Sequence, residues 1–233
     1  MQIEAAISKT AKYACSESGD SAAVVERPKG GLSALIADGQ GSGRPAKITS
    51  NLVVSKAASL IADGTRDGAV ARAAHDFLFA LRDGKVSATL TMLSADLVSR
   101  TVVISRNSHC PVLIRQGNRV DVLSGQVSPI GVHHFMKPVI HEIALAEEML
   151  ILTFTDGILH AGRKHGRQLD LESVSALLSA TSAACCRELA DQILTLGISL
   201  DDGRPGDDMT VLVLAISAGG AGKVGRFYAG YPF

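Results

Sequence analysis

The sequence predicts an α+β fold, a sandwich of two mainly antiparallel β-sheets flanked by α-helices. Hydrophobic periodicity runs in the order strands, two helices, many strands, two helices and a closing strand. The long middle block joins β-rich runs by short turns instead of alternating strand with helix, which argues for antiparallel pairing. No internal repeat or linker divides the 233 residues, and 46% hydrophobic content is enough to bury a sizeable core. A single domain over residues 1–216 with a glycine-rich tail over 217–233 is therefore expected.

Within residues 1–15 an edge strand is the strongest signal. Ser16 to Asp20 form a polar turn before Ser21 to Glu26, whose small and β-branched residues suit a strand. Pro28 to Gly31 reverse the chain and Leu32 to Ala37 return beside it. This hairpin sets Asp20, at the outer end of one strand, level with Asp38, at the outer end of the other. The segment Ala37-Asp38-Gly39-Gln40-Gly41-Ser42-Gly43 then leads from a buried strand through a carboxylate and glycines into a helix, with Pro45 suited to its first position. Such a carboxylate suits a hard cation or a phosphate; a glycine turn with a capping Asp is the plain alternative. Pro45 to Ala62 is apolar on most sides and ends near Gly64. A second helix from about Asp67 places Val70, Ala74, Phe77, Leu78 and Leu81 in one stripe, and Gly84 closes it.

Ala88 to Ala95 and Arg100 to Arg106 are β-rich runs, and Val112 to Arg115 and Val120 to Leu123 flank a turn at Gly117 and Asn118. Val139 to Leu145 and Met149 to Phe154 continue this antiparallel meander, whose last strand ends at Thr155, Asp156 and Gly157. Helical spacing returns at Leu171, Val174, Leu177 and Leu178, and again at Cys186, Leu189, Ile193 and Leu196. A polar loop from Asp201 to Asp208 leads into Thr210 to Ile216, a final and central strand. In the tail, Phe227, Tyr228, Tyr231 and Phe233 suit either docking or a disordered end.

Lys plus Arg and Asp plus Glu both number 23, so the formal net charge is zero and no basic field is available for a nucleic-acid backbone. No segment reaches the roughly 18 to 20 apolar residues of a membrane span, and the opening MQIEAAISKT lacks a long apolar block. A soluble, cytoplasmic protein with neither nucleic acid nor membrane as partner is expected. Cys15, Cys110, Cys185 and Cys186 have neither a disulfide-framework nor a zinc-site spacing, and read as reduced thiols.

Four places share an acid at a strand end beside glycine or a second acid: Gly19-Asp20, Asp38-Gly39, Asp156-Gly157 and Asp207-Asp208. Any one alone reads as a turn, a cap or a solvated loop. Drawn together they repel, and burial without partners is costly, so such a cluster needs cations or protons. An all-oxygen donor set favours Mg²⁺ or Mn²⁺. A pair of ions bridged by one carboxylate would hold a water acidified toward hydroxide, able to attack phosphorus in line. The chemistry reached is phosphate-ester hydrolysis.

At these residues the chain resembles the metal-dependent serine/threonine phosphatases of the PP2C superfamily, in particular the bacterial SpoIIE-like branch that includes the stressosome phosphatase RsbX. The resemblance runs from about Ser18 to Ile216. It rests on SGD at Ser18 to Asp20, ADGQGSG at Ala37 to Gly43, TLTML at Thr89 to Leu93, the segment Asn107 to Pro111, TDGI at Thr155 to Ile158 and DDMTVLVL at Asp207 to Leu214. It implies a PP2C-like sandwich in which Asp38 is the catalytic carboxylate, acting through a water that bridges two Mn²⁺ or Mg²⁺ ions. The Gly39 carbonyl is then expected on the second ion, Asp156 and Asp207 on the first, and Asp20 beside the second, directly or through water. Asp208, which stands where much of the superfamily has Asn, joins Gln40 and Asn107 in the outer shell.

Many eukaryotic relatives have His where this chain has Gln40, and Gln cannot serve as a general acid. No basic residue stands just before Ser18, where an arginine grips phosphate in many of these enzymes, and the branch's asparagine-glycine-histidine stretch appears as Asn107, Ser108 and His109. These departures fit the SpoIIE-like branch and imply slow, partner-dependent turnover. His109 reads as structural, and His133 and His134 as a solvated loop able to touch a protein substrate. Arg163, Lys164, His165, Gly166 and Arg167 form a compact basic run, a solvated loop by default and a docking surface for an acidic partner on the sharper reading.

The function so implied is hydrolysis of phosphoserine or phosphothreonine on a small regulatory protein, a phosphorylated STAS-domain antagonist or scaffold in sigma-factor partner switching. With no sensor domain or coiled coil ahead of the catalytic region, regulation is expected through the partner. Two rival readings are a catalytically silent module that binds through the same surface and a small-molecule phosphoesterase with a deeper pocket.

Overall fold

The structure, a computed structural model, describes residues 1–219 and 229–230. The tail aromatics Phe227, Tyr228, Tyr231 and Phe233 lie outside the described residues. One sheet runs in the order β1 (Gln2–Thr10), β10 (Met209–Ser217), β9 (Met149–Phe154), β6 (Val112–Gln116) and β7 (Arg119–Leu123). The other runs β2 (Asp20–Glu26), β3 (Gly31–Asp38), β4 (Thr91–Asp96), β5 (Thr101–Arg106) and β8 (Val139–Ala144). Every pairing within them is antiparallel.

Helices α1 (Gly43–Ala62) and α2 (Asp67–Arg82) cover the outer face of the β2–β8 sheet, while α4 (Leu171–Ala180) and α5 (Cys186–Leu200) cover the other. Successive strand residues point to opposite faces, so each inner strand feeds two cores. In β3, Ala34 and Ile36 face the opposite sheet, whereas Leu35 and Ala37 pack on the helices. In β10, Leu212 and Leu214 face the sheet opposite, and Val211 and Val213 face α5. Burial on both faces explains why these strands read as unbroken apolar runs, and β10 is indeed an interior strand, buried along its whole length.

The middle strands do not form one continuous meander. The β4–β5 hairpin lies in one sheet and the β6–β7 hairpin in the other, after which β8 and β9 go one to each. Period-two patterning identifies a strand without saying which of two similar sheets receives it. Two helix details also differ from expectation. Helix α1 starts at Gly43, so Pro45 is its third residue, still within the turn whose N–H groups need no intrahelical acceptor. In α2 the buried face is Val70, Ala71, Ala74, His75 and Leu78, while Leu81 is 51% exposed. His75 is tolerated inside because its Nδ1 accepts from the Gly131 amide at 3.0 Å. All four cysteines are free, and among the described residues no helix is long and apolar enough to cross a membrane.

Candidate metal centre

The β2–β3 pairing puts Asp20 directly opposite Asp38, as the hairpin reading expects. The other sheet reaches the same place through two hydroxyls. Thr155, just past β9, and Thr210, in β10, donate to Asp20 Oδ2 at 2.8 and 2.6 Å. Thr155 and Thr210 are themselves tied, since the Thr155 amide donates to the Thr210 carbonyl and the Thr210 amide to Thr155 Oγ1, both at 2.9 Å. Asp20 thus joins the two sheets at one end of the sandwich. Its second oxygen, Oδ1, is buried with no hydrogen-bond partner among the described residues.

Electrostatics show which acids gather. Burial, followed by the charges of Asp20, Asp156, Asp207 and Asp208, pushes the Asp38 carboxyl up to about 8. Burial also raises Asp20 to about 7, against the hydroxyl bonds from Thr210 and Thr155 that favour its ionised form. Asp207 is raised by burial too, and by Asp156, although its oxygen accepts the Asp208 amide at 3.0 Å. Asp208 has a different task. Its two oxygens accept the Lys12 amide at 2.9 Å and the Gly19 amide at 2.8 Å, which clamps the loop that delivers Asp20. Both of its oxygens are thus occupied by backbone donors.

The glycines of the Asp-Gly pairs permit close backbone crossings. A Cβ on Gly39 would overlap the carbonyl oxygen of Ala46 in α1, and one on Gly157 would overlap the carbonyl oxygen of Asp208. The second crossing brings the TDGI and Asp207-Asp208 segments together. Gly157 itself lies in a short helix, α3 (Asp156–Leu159), where the sequence reading has only the end of a strand. That helix adds His160, whose Nδ1 is 3.9 Å from Asp156 Oδ2 and whose ring stacks on His109 with centroids 5.8 Å apart. Burial, then Arg163, lowers the His160 pKa, while Asp156 opposes the shift.

The remaining expected residues fall as follows. The side-chain oxygen of Gln40 accepts the Ser87 amide at 2.9 Å and the Ser87 hydroxyl at 3.2 Å. Asn107 is fully buried and donates to the Ser128 carbonyl at 2.9 Å, so it anchors the loop after β7. In the basic run, His165 (3.1 Å) and Arg167 pair with Asp202, and Lys164 reaches the Gly206 carbonyl at 3.5 Å. The run therefore fastens the loop that leads to Asp207. His133 and His134 are exposed, with the His134 ring 5.1 Å from that of Phe79.

The sequence reading also lacks Lys9 and Lys47, whose ammonium groups both lie 2.8 Å from the Asp20 carbonyl oxygen. Neither lysine sits in a motif; they arrive from β1 and α1 through the tertiary fold. Among the described residues no three His, Cys, Asp or Glu side chains close into a ready-made metal cage. The acids nevertheless fit divalent cations. Asp20 Oδ1 is a buried acceptor with nothing to accept from, and Asp38 carries a charge penalty that cations would cancel. Replacing Thr155 or Thr210 by Val removes one of the groups that orient Asp20. Apparent Mn²⁺ affinity is expected to fall about 10- to 100-fold in each variant. Unchanged affinity would assign the hydroxyls to the fold alone.

A family model described as Stage II sporulation protein E (SpoIIE) matches residues 28–217. No curated protein matches the chain. Among solved structures, the PP2C phosphatase domain of SpoIIE from Bacillus subtilis, with a fragment of its regulatory domain, superimposes with a TM-score of 0.80 at 24% identity. That match covers 93% of this chain and 64% of the other, so the chain spans less than two thirds of that relative's length. The RsbU and RsbW domains of a Mycobacterium tuberculosis protein give a TM-score of 0.75 at 20% identity, over 93% of this chain and 60% of the other. RsbX in complex with magnesium gives 0.68 at 16% identity, over 92% and 96%.

Proposed function

Because the chain belongs to the SpoIIE family of PP2C-type serine/threonine phosphatases, we propose that it hydrolyses phosphoserine or phosphothreonine on a regulatory protein. A phosphorylated STAS-domain antagonist or scaffold of sigma-factor partner switching is the substrate class, acted on in the cytoplasm by a single domain over residues 1–216. The observation that carries the reading is the gathering of Asp20, Asp156, Asp207 and Asp208 around Asp38. Neighbours named for SpoIIE, RsbU with RsbW, and the stressosome support a protein substrate.

The family is metal-dependent, and the side chains of Asp20, Asp38, Asp156 and Asp207 with the Gly39 carbonyl would hold two Mn²⁺ or Mg²⁺ ions. Bound there, such cations lower the pKa of water toward neutrality and stabilise charge developing on phosphoryl oxygens. The charges of Asp20, Asp156, Asp207 and Asp208 all act on Asp38, which suits it to the shared position. The Thr155 and Thr210 hydroxyls hold Asp20 in one orientation, and Asp208 keeps the 12–19 loop closed over it. Gln40 has no proton to give, so protonation of the leaving serine falls to water or another residue.

The test is phosphate release from a phosphorylated STAS-domain protein with and without Mn²⁺. Release that requires Mn²⁺ supports the proposal. No release from a substrate that a control phosphatase dephosphorylates would sink it. The silent-module reading draws on one observation, the engagement by Ser87 of Gln40, which stands where many eukaryotic relatives have His. Metal uptake without turnover would favour it.

A further inference from the structure

A groove of about 580 Å³ opens between the first turns of α1 and the end of α2, lined in part by Gln40, Arg44, Pro45, Ile48, Arg82 and Val86. It adjoins the acidic centre, since Gln40 follows Asp38 and Gly39 in the chain and is fixed by Ser87. Two cations face it. Neither the Arg44 nor the Arg82 guanidinium has an ion pair or hydrogen bond among the described residues, and Arg82 Nε is buried without an acceptor. Several other cations of the fold have partners: Arg27 pairs with Asp67 and Asp96, His165 and Arg167 with Asp202, and Lys164 reaches the Gly206 carbonyl. A buried guanidinium nitrogen without an acceptor carries a desolvation cost that an incoming carboxylate would offset.

Beside Gln40 and Thr49, the rest of the lining carries an apolar strip. Ile48 is 45% exposed, large for an aliphatic residue, and Pro45 and Val86 continue its surface. None of the lining residues is aromatic, so there is no platform on which a base would stack. An acidic ligand approaching Asp38 meets repulsion from the carboxylates there, and Arg44 and Arg82 are placed to oppose it. We infer that this groove docks an acidic stretch of the phosphoprotein next to its phosphorylated residue. Arg44 and Arg82 pair with Asp or Glu side chains, and Pro45, Ile48 and Val86 pack on their aliphatic stems. The inference rests on the phosphatase reading of the adjoining centre.

The probes are short fluorescein-labelled peptides with a non-hydrolysable phosphonate in place of phosphoserine, flanked by Glu and Asp, by Ala, or by Lys. Anisotropy titration with the Mn²⁺-loaded protein reads binding without turnover. The acidic peptide is expected to bind about 10-fold tighter than the alanine peptide, as one desolvated charge-assisted contact supplies. Arg44→Ala and Arg82→Ala should each erase most of that preference, and the double change Arg44→Glu with Arg82→Glu should transfer it to the lysine peptide. Equal affinity for the acidic and alanine peptides would overturn the inference. So would a preference that survives these changes in variants with wild-type melting curves. Phosphate release from p-nitrophenyl phosphate is measured alongside: turnover without flank preference rejects the groove and keeps the phosphatase, whereas flank preference without turnover does the reverse.

Discussion

Asp38→Asn is expected to lower phosphoprotein kcat/KM by about 10²–10³-fold or more, the scale on which removal of one preorganised charge at a reacting centre acts. The same change should stabilise the metal-free protein. The Asp38 carboxyl titrates at about 8 in the fold against an ordinary value of 3.8, chiefly because of burial and then because of the neighbouring acids. A raised carboxyl pKa means that the folded chain keeps a proton the unfolded chain has already lost. Stability therefore falls as pH rises from about 4 to about 8, and the full penalty is present above that window. Asp38 is only half-buried, so screening reduces the penalty to about 2 kcal/mol, or about 4–8 °C in Tm for a chain of this size. Thermal melts in chelator should show the variant ahead of wild type at pH 8 and level with it near pH 4. A wild-type Tm independent of pH across that range would mean that Asp38 is not held among acids.

Gly39→Ala is expected to cost about 3 kcal/mol or more, at the upper end of overpacking substitutions. The added Cβ would overlap the Ala46 carbonyl oxygen and sit 2.9 Å from its carbonyl carbon and 3.1 Å from its Cα. All three are backbone atoms of α1, so relief requires the helix to move away from the end of β3. No side-chain rotation can absorb the clash. The helix also carries Lys47, which bonds the Asp20 carbonyl, so the displacement should loosen the site as well as the fold. Urea denaturation reads the loss directly. A change under about 0.5 kcal/mol, within the range of neutral surface substitutions, would show that α1 does not pack as described.

Some of this site was legible in the sequence because its parts are local. The hairpin that opposes Asp20 to Asp38 needs only two β-rich runs and the Pro28–Gly31 turn between them. The Asp-Gly pairs mark strand ends because glycine lets backbones cross there, as Gly39 does over Ala46 and Gly157 over Asp208. What escaped depends on distant packing. Thr155 and Thr210 are ordinary strand-end threonines until the two sheets bring them to Asp20. His160 became visible as an Asp156 neighbour only with the single turn of α3, because an i, i+4 relation does not exist in a strand. The exchange of Leu81 for His75 in the buried face of α2 turned on the Gly131 amide, far away in sequence. Arg44 and Arg82 belong to different helices, and no spacing rule links them.

The proposed metal centre requires these aspartates together to hold divalent cations. Calorimetric titration of the chelator-treated protein with Mn²⁺ tests it most directly, with Asp38→Asn as the comparison. Saturable uptake by wild type that is weakened at least 10-fold by the substitution is the predicted result, on the usual scale for perturbed metal sites. Absence of uptake at millimolar Mn²⁺, or equal uptake by both proteins, would contradict it.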